Sequence, residues 1–408
     1  MPAPIYLDNA ATSFPKPECV HEAVQDYMRR VGASPGRGAY AAAREGASLI
    51  DRCRERLREV VGGERGGRIV FTLNATDALN LAIKGVVRAW NREHPGRRAH
   101  VVTTAMDHNS VLRPLNALAA GGEAVWTCVE ADARTGLVDA ASIAAAIRPE
   151  TALVVAVHAS NVTGTIQPVE AIGRACRRAG VPVLVDAAQS LGHAPVDAAS
   201  MGIDLLAFPG HKGLLGPLGT GGLYLRAGMD SIVEPLREGG TGSASESDVQ
   251  PLTLPERFEP GSHNTPGIAG LSAAAEWLLD RGIDRVRAHE ARLTQAVLDT
   301  MPGERDGFRL LGPDSVEGRV GVFSFAHDTI SPDALAAGLE SHGYLARSGL
   351  HCAPRAHGAL GTLERGGAIR LSVGPFVSEE TVRGAMRALT AVASGMRSER
   401  SVGVGGVR

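Results

Sequence analysis

The sequence predicts an α/β fold, with a mostly parallel sheet covered by helices on both faces and a smaller α+β domain behind it. Three observations carry that expectation. Between residues 68 and 208, short apolar strands alternate with helical stretches, the pattern of βαβ units. Residues 235–265 lose periodicity and fill with Gly, Ser, Pro and Glu, as a domain boundary does. Beyond them, helices and strands no longer alternate one for one.

The elements follow in order. Residues 1–20 read as extended and irregular, because Pro15 and Pro17 stop any helix. Helices are expected over 20–31 and 41–61, with Ala47, Ile50, Leu57, Val60 and Val61 on one face of the second. A Gly/Pro/Ser loop carrying Arg37 joins them. Strands are expected at 69–71, 100–104, 124–129, 153–157, 183–186 and 205–208. The helices between them cover about 79–86, 109–120, 139–147 and 168–179. Residues 221–225 read as one more strand, at an edge or antiparallel. The smaller domain has helices at 267–281, 284–301, 332–342 and 378–395, and strands near 308–311, 319–325, 344–347 and 368–373. The expected division is therefore 1–20, an N-terminal segment packing with the small domain; 21–262, the large domain; 263–395, the small domain; and 396–408, a disordered tail.

Composition narrows the function. The chain has 408 residues, 44% of them hydrophobic, and a formal net charge of -2, which suits a globular protein and argues against general nucleic-acid or membrane-surface binding. Apolar runs are too short to span a bilayer. The N-terminus carries Asp8 and lacks the basic and apolar regions of a signal peptide. The five cysteines, at 19, 53, 128, 176 and 352, are widely spaced and form no CxxC pair. No disulfide framework or metal site is expected, and the chain reads as cytoplasmic.

Chemistry is concentrated after the strands. Pro209-Gly210-His211-Lys212-Gly213 leaves a buried strand, where burial lowers an amine pKa and makes Lys212 a usable nucleophile. On that reading Lys212 forms a Schiff base with pyridoxal 5'-phosphate; the alternative is a solvated loop lysine. Asp186 ends another strand, where it either caps a helix or faces a pyridinium nitrogen. Gln189, three residues on, can reach a ring hydroxyl. Asn74-Ala75-Thr76-Asp77 joins a strand to a helix, so its N–H groups and the Thr76 hydroxyl suit a phosphate or ordinary capping. Asp77 has to face away from any phosphate. His108 can stack on a ring or fill a structural role. Asn161 is a turn residue or a substrate contact. Arg370 starts a strand and is either a carboxylate clamp or half of a surface salt bridge. Cys352 lies in a loop beside His351, with Arg347 and Arg355 nearby, and is either a nucleophile that this setting favours as thiolate or a free cysteine in an incidental loop.

Together these residues resemble the class V aminotransferase family of fold-type I pyridoxal-phosphate enzymes, and within it the cysteine desulfurase and selenocysteine lyase group. The matching stretches are Tyr6-Leu7-Asp8-Asn9-Ala10-Ala11-Thr12, residues 74–80, Val185-Asp186-Ala187-Ala188-Gln189, Gly210-His211-Lys212, Arg257-Phe258-Glu259 with Gly261, Asn264 and Thr265, and residues 347–352. They stand in the family's order across nearly the whole chain. The resemblance implies a seven-stranded, mostly parallel sheet and a homodimer. It gives Lys212 the cofactor and the α-proton, Asp186 the pyridine nitrogen, Gln189 the ring hydroxyl, and His108 the ring face and the proton of the substrate thiol. Thr76, Ala75 and His211 would hold the phosphate, with Ser262 reaching it from the other subunit. Asn161, Arg370 and Arg347 would bind the substrate. Cys352 would take sulfur from L-cysteine as a persulfide for an acceptor protein or thiol; the alternative is a selenocysteine lyase or other C–S lyase of the same fold, releasing selenide or sulfide. The chain departs from the pattern at Pro209, where a hydroxyl residue is usual, at Ser262 in place of threonine, and at Gly36, where relatives often have histidine.

Overall fold

A computed structural model describes residues 4–35, 38–243 and 245–404, with side chains as far as residue 397. Gly36 and Arg37 lie outside the described residues. The strands are β1 (Ile5–Tyr6), β2 (Arg68–Thr72), β3 (Ala99–Thr104), β4 (Ala124–Val129), β5 (Thr151–Val157), β6 (Val183–Asp186), β7 (Leu205–Pro209), β8 (Gly221–Leu225), β9 (Phe308–Leu311), β10 (Val322–His327), β11 (Tyr344–Leu345), β12 (Arg347–Gly349) and β13 (Ala368–Ser372). The helices of the first part are α1 (Glu18–Asp26), α2 (Ala41–Val60), α3 (Ala75–Glu93), α4 (Asn109–Ala120), α5 (Ala140–Ala146) and α6 (Val169–Ala179). Those of the second are α7 (Thr265–Arg281), α8 (Ile283–Thr300), α9 (Pro332–Ser341), α10 (Pro354–Ala359) and α11 (Glu379–Val404).

Seven strands form the main sheet in the order β2-β8-β7-β6-β5-β3-β4. β3, β4, β5, β6 and β7 are mutually parallel, and β8 runs antiparallel to both its neighbours. Every residue of β3, β5, β6, β7 and β8 is buried, as a sheet covered on both faces requires. β8 is antiparallel, as expected, but it is not an edge: β2 lies outside it. Its two leading glycines explain the central place. A side chain at Gly222 would meet the Phe208 ring, and one at Gly221 the Asn74 backbone. Chain order reverses between β3 and β5, so the crevice outside their C-terminal ends is the place where such sheets bind ligands.

The second unit is an antiparallel sheet, β12-β13-β10-β9, packed with α8, α9 and α11. The N-terminal segment belongs to its core: β1 pairs with β11, Leu7 packs with Phe323 and Leu371, and Asp8 bridges to Ser372. α7 packs on α1 and α2, and Ile268, Leu271, Leu278 and Val286 share the large core. Leu293 and Val297, further along α8, join the small one. α7 is apolar on much of its circumference, so a Gly-rich loop before it marks a surface excursion rather than a break in the core. The last helix also differs from expectation. It continues to Val404, so residues 396–404, expected as a disordered tail, are helical; the run Met396-Arg397-Ser398-Glu399-Arg400-Ser401 contains no residue that breaks a helix. Residues 405–408 lie outside the described residues.

Candidate active site

One pocket collects residues from the C-terminal ends of five strands: Asn74, Ala75 and Thr76 after β2, His108 and Ser110 after β3, Val157, Ala159 and Asn161 after β5, Asp186, Ala188 and Gln189 after β6, and Pro209, His211 and Lys212 after β7. Lys212 is placed by a tight turn. Gly210 N–H donates to Thr220, Leu215 N–H to Lys212, and Gly216 N–H to Gly210. Gly213 has to be glycine, because a Cβ there would lie 2.3 Å from the Leu191 carbonyl oxygen. The turn leaves Lys212 half-buried in the pocket, and desolvation of its amine pushes the pKa down to about 8 despite the attraction of Asp186. Asp186 is buried, which raises its pKa, and one of its oxygens accepts from Ala188 N–H at 2.9 Å. Gln189 donates to the Ala10 carbonyl at 2.9 Å.

The phosphate-like end is built at the start of α3. Asn74 caps the helix by accepting from Asp77 N–H at 3.0 Å. Asp77 turns away from the pocket, accepting from Leu73 N–H and pairing with Arg237 at 3.3 Å. Asn74 and Asp77 do the capping, while Ala75 and Thr76 line the pocket. His211 lines it too, and its Nδ1 is buried with no hydrogen-bond partner. An anion fits here, at a helix N-terminus beside the Thr76 hydroxyl and an unsatisfied ring nitrogen. A buried carboxylate and a depressed lysine amine deeper in the same pocket suit a cationic ring nitrogen and an aldehyde. The donor set therefore fits pyridoxal 5'-phosphate.

His108 is the N-cap of α4. Its Nδ1 accepts from Ser110 N–H at 3.0 Å, which places the proton of the neutral ring on Nε2. Burial and the nearby Lys212 and Arg113 charges push its pKa down to about 4. The sequence reading missed two supports here. Ser110 Oγ lies 2.8 Å from both Thr76 Oγ1 and His108 Nδ1, tying the phosphate-like end to the histidine. Asp107 is wholly buried, and one of its oxygens takes Thr103 Oγ1, Thr104 N–H and Thr104 Oγ1. The only signal for either was their place beside His108.

Arg370 is no surface ion pair. It is buried, donates to Asp8 at 2.6 Å and to the Asn161 carbonyl at 3.2 Å, and keeps its Nε buried without a partner. Asn161 in turn donates to the His351 carbonyl at 2.7 Å. This chain joins the small sheet, the pocket and the cysteine loop. Arg347 departs from expectation. It is exposed on β12 opposite Arg370 and does not line the pocket, although its charge helps to lower the Lys212 pKa. Ser262 is exposed in a separate cleft with Ser34, Pro35 and His263, away from Lys212 of the same chain.

Cys352 is exposed, and it and His351 both take positive φ, 57° and 50°. The loop is pinned where Asn109 N–H donates to the Cys352 carbonyl at 2.8 Å. Its charged neighbours do not serve the thiol in the way the sequence suggested. Arg355 lies over the Trp126 ring at 4.9 Å, and its charge acts on the Cys128 thiol, lowering a pKa that burial raises. His351 is buried against His357, Nδ1 to Nε2 at 3.3 Å, and burial holds it neutral with a pKa of about 2. Cys352 lines a cleft that shares Thr76, His108 and Ser110 with the Lys212 pocket.

Known proteins resemble this arrangement over its whole length. The Aminotransferase class-V family model matches residues 5–384. A probable cysteine desulfurase of Methanothermobacter thermautotrophicus is 35% identical, over 93% of this chain and 92% of that protein. A cysteine desulfurase of Haloferax volcanii is 34% identical, over 88% of this chain and 82% of that protein. The solved apo structure of a cysteine desulfurase from Thermococcus onnurineus superposes with a TM-score of 0.86 at 30% identity, covering 96% of this chain and 95% of the other.

Proposed function

This chain belongs to the aminotransferase class-V family, and from that premise we infer that it is a pyridoxal 5'-phosphate-dependent cysteine desulfurase acting on L-cysteine. The observation that carries the reading is that the pocket lined by Lys212 and the cleft lined by the exposed Cys352 share Thr76, His108 and Ser110. Bound in the Lys212 pocket, the cofactor supplies an aldehyde and an electron-withdrawing ring. Asp186 holds a proton on the ring nitrogen, and Gln189 reaches the ring hydroxyl. Ala75, Thr76 and His211 hold the phosphate. Lys212 takes the α-proton of the substrate, its depressed pKa keeping a neutral amine available near neutral pH. Asn161 and Arg370 orient the substrate carboxylate, and Arg347 adds positive field from the rim. His108 exchanges the proton of the substrate thiol.

Cys352 receives the sulfur. A bond forms between its Sγ and the substrate Sγ as the substrate Cβ–Sγ bond breaks. L-Cysteine and one protein thiol thus become L-alanine and one protein persulfide, with every atom accounted for. The geometry of one chain supports a homodimer in this reading, because Ser262 is exposed and remote from its own pocket and would serve the partner's phosphate. The five free thiols support a cytoplasmic enzyme in this reading; no described helix is long and apolar enough to cross a membrane. Mass spectrometry of the enzyme after L-cysteine addition tests the assignment. One added sulfur on the peptide containing Cys352 is expected. A Cys352→Ala enzyme that keeps full turnover would overturn sulfur transfer and leave a C–S or selenocysteine lyase.

A further inference from the structure

The cleft outside Cys352 encloses about 400 Å³, within the range of small-ligand sites. Two packed helices form its walls. Thr76, Asn80 and Lys84 follow one another at four-residue spacing on α3, and Asn109, Arg113 and Ala117 do so on α4, so each trio shares a face. No Asp or Glu lines it. Among the described residues, no hydrogen bond or ion pair engages Lys84 or Arg113. That sets them apart on their own elements: Arg88 and Arg92, further along α3, pair with Glu123 and Glu234. Two uncompensated cations at the mouth of a thiol-bearing cleft raise the local concentration of anions and repel cations.

We propose that this cleft is the acceptor subsite, and that the acceptor it takes is a small anionic thiol, steered by Lys84 and Arg113 onto the sulfur carried by Cys352. The proposal rests on the desulfurase reading above. The transfer step balances without any outside oxidant. The acceptor thiolate attacks the outer sulfur of the Cys352 persulfide, the bond between that sulfur and Cys352 Sγ breaks, and Cys352 leaves as thiolate. The acceptor carries away one sulfur atom as its own persulfide.

Three thiols of similar size and different charge test this on the holoenzyme: 2-mercaptoethanesulfonate, 2-mercaptoethanol and cysteamine. Each is scored by the rate at which it removes sulfur from Cys352 already loaded with L-cysteine. Loading itself is followed separately by intact mass, so loss of the desulfurase reading would show as absence of the loaded species. In Lys84→Gln/Arg113→Gln enzyme, transfer to the sulfonate is expected to fall about tenfold relative to wild type, with the neutral thiol within about twofold and cysteamine faster. Because each thiol is compared with itself, differences in intrinsic reactivity cancel. High salt is expected to erase the difference between wild type and variant for the sulfonate. A loaded enzyme whose three rates change equally, or not at all, on removing both charges overturns the proposal.

Discussion

Lys212 follows a strand whose five residues are all buried, whereas Cys352 sits exposed in a loop where two successive residues take positive φ. The first site is defined by a sheet and by glycines that admit no side chain. The second is pinned at a few points, by Asn109 N–H, by Asn161 through the His351 carbonyl, and by the ring of His357. The contrast follows from what each group has to do. An amine becomes neutral near physiological pH only when water is kept away. A thiol that takes sulfur from one molecule and passes it to another has to meet both, and a short loop at a cleft mouth allows that.

The largest effects should separate the two regions. Lys212→Ala and Cys352→Ala are each expected to lower alanine formation from L-cysteine about 10³-fold. Only the lysine variant should also lose the visible absorbance of the bound cofactor. A cysteine variant that fails to take up cofactor would show that the loop and the pocket are one structural unit, and would remove the basis of the comparison.

Arg370 lies where the two regions join, so it sharpens the contrast. Arg370→Lys keeps the charge and loses the planar fork that can bond Asp8, Asn161 and a carboxylate together. The expected outcome is a fall of about 10²-fold in kcat/KM for L-cysteine, mostly through KM, with cofactor absorbance unchanged. Steady-state kinetics beside an absorbance spectrum checks it.

The amine side was the more legible in sequence, for a physical reason. Buried parallel strands are written as short apolar runs, and the residues that follow them fall at one end of the sheet by geometry alone. Asp186, Lys212, His108 and Thr76 could thus be placed together before any distance was known. The thiol side depends on side-chain contacts that leave no periodic trace. Nothing in the order His351-Cys352-Ala353-Pro354-Arg355 says that His351 turns inward to His357, or that Arg355 swings onto Trp126. Asp8 as the partner of Arg370 was hidden likewise, because 362 residues separate them. A Gly-rich loop looks the same whether it links domains or leaves and re-enters one core.

A pH series reads the dryness of the amine side directly. The reactive form of Lys212 is the neutral amine, and its pKa is about 8 rather than the ordinary 10.5. Below the folded pKa the neutral fraction falls about tenfold per pH unit, and above it the fraction saturates. Capture of pyridoxal phosphate by apoprotein should therefore speed up with pH and level off near about 8. A rate still climbing tenfold per unit beyond pH about 9 would mean that the amine is solvated, and that the two regions differ less than the burial of β7 implies.

The smallest expected effect tests how the thiol loop is held. His357 is wholly buried; its Nδ1 meets Thr362 Oγ1 at 2.7 Å and its Nε2 faces His351. Burial holds its pKa near about 4, so it works as a neutral ring with one proton to share. His357→Ala leaves Thr362 and His351 each short of a buried partner and opens a cavity beneath the loop, a cost of about 2 kcal/mol. Thermal unfolding should register that loss, and loading of Cys352 by L-cysteine should slow by about threefold as the loop samples other conformations. Cofactor absorbance and its pH profile should not move, since no contact of His357 reaches the Lys212 turn. Equal damage to loading and to cofactor capture would mean instead that the buried histidine pair supports the whole crevice, and that the exposed thiol is held as rigidly as the buried amine.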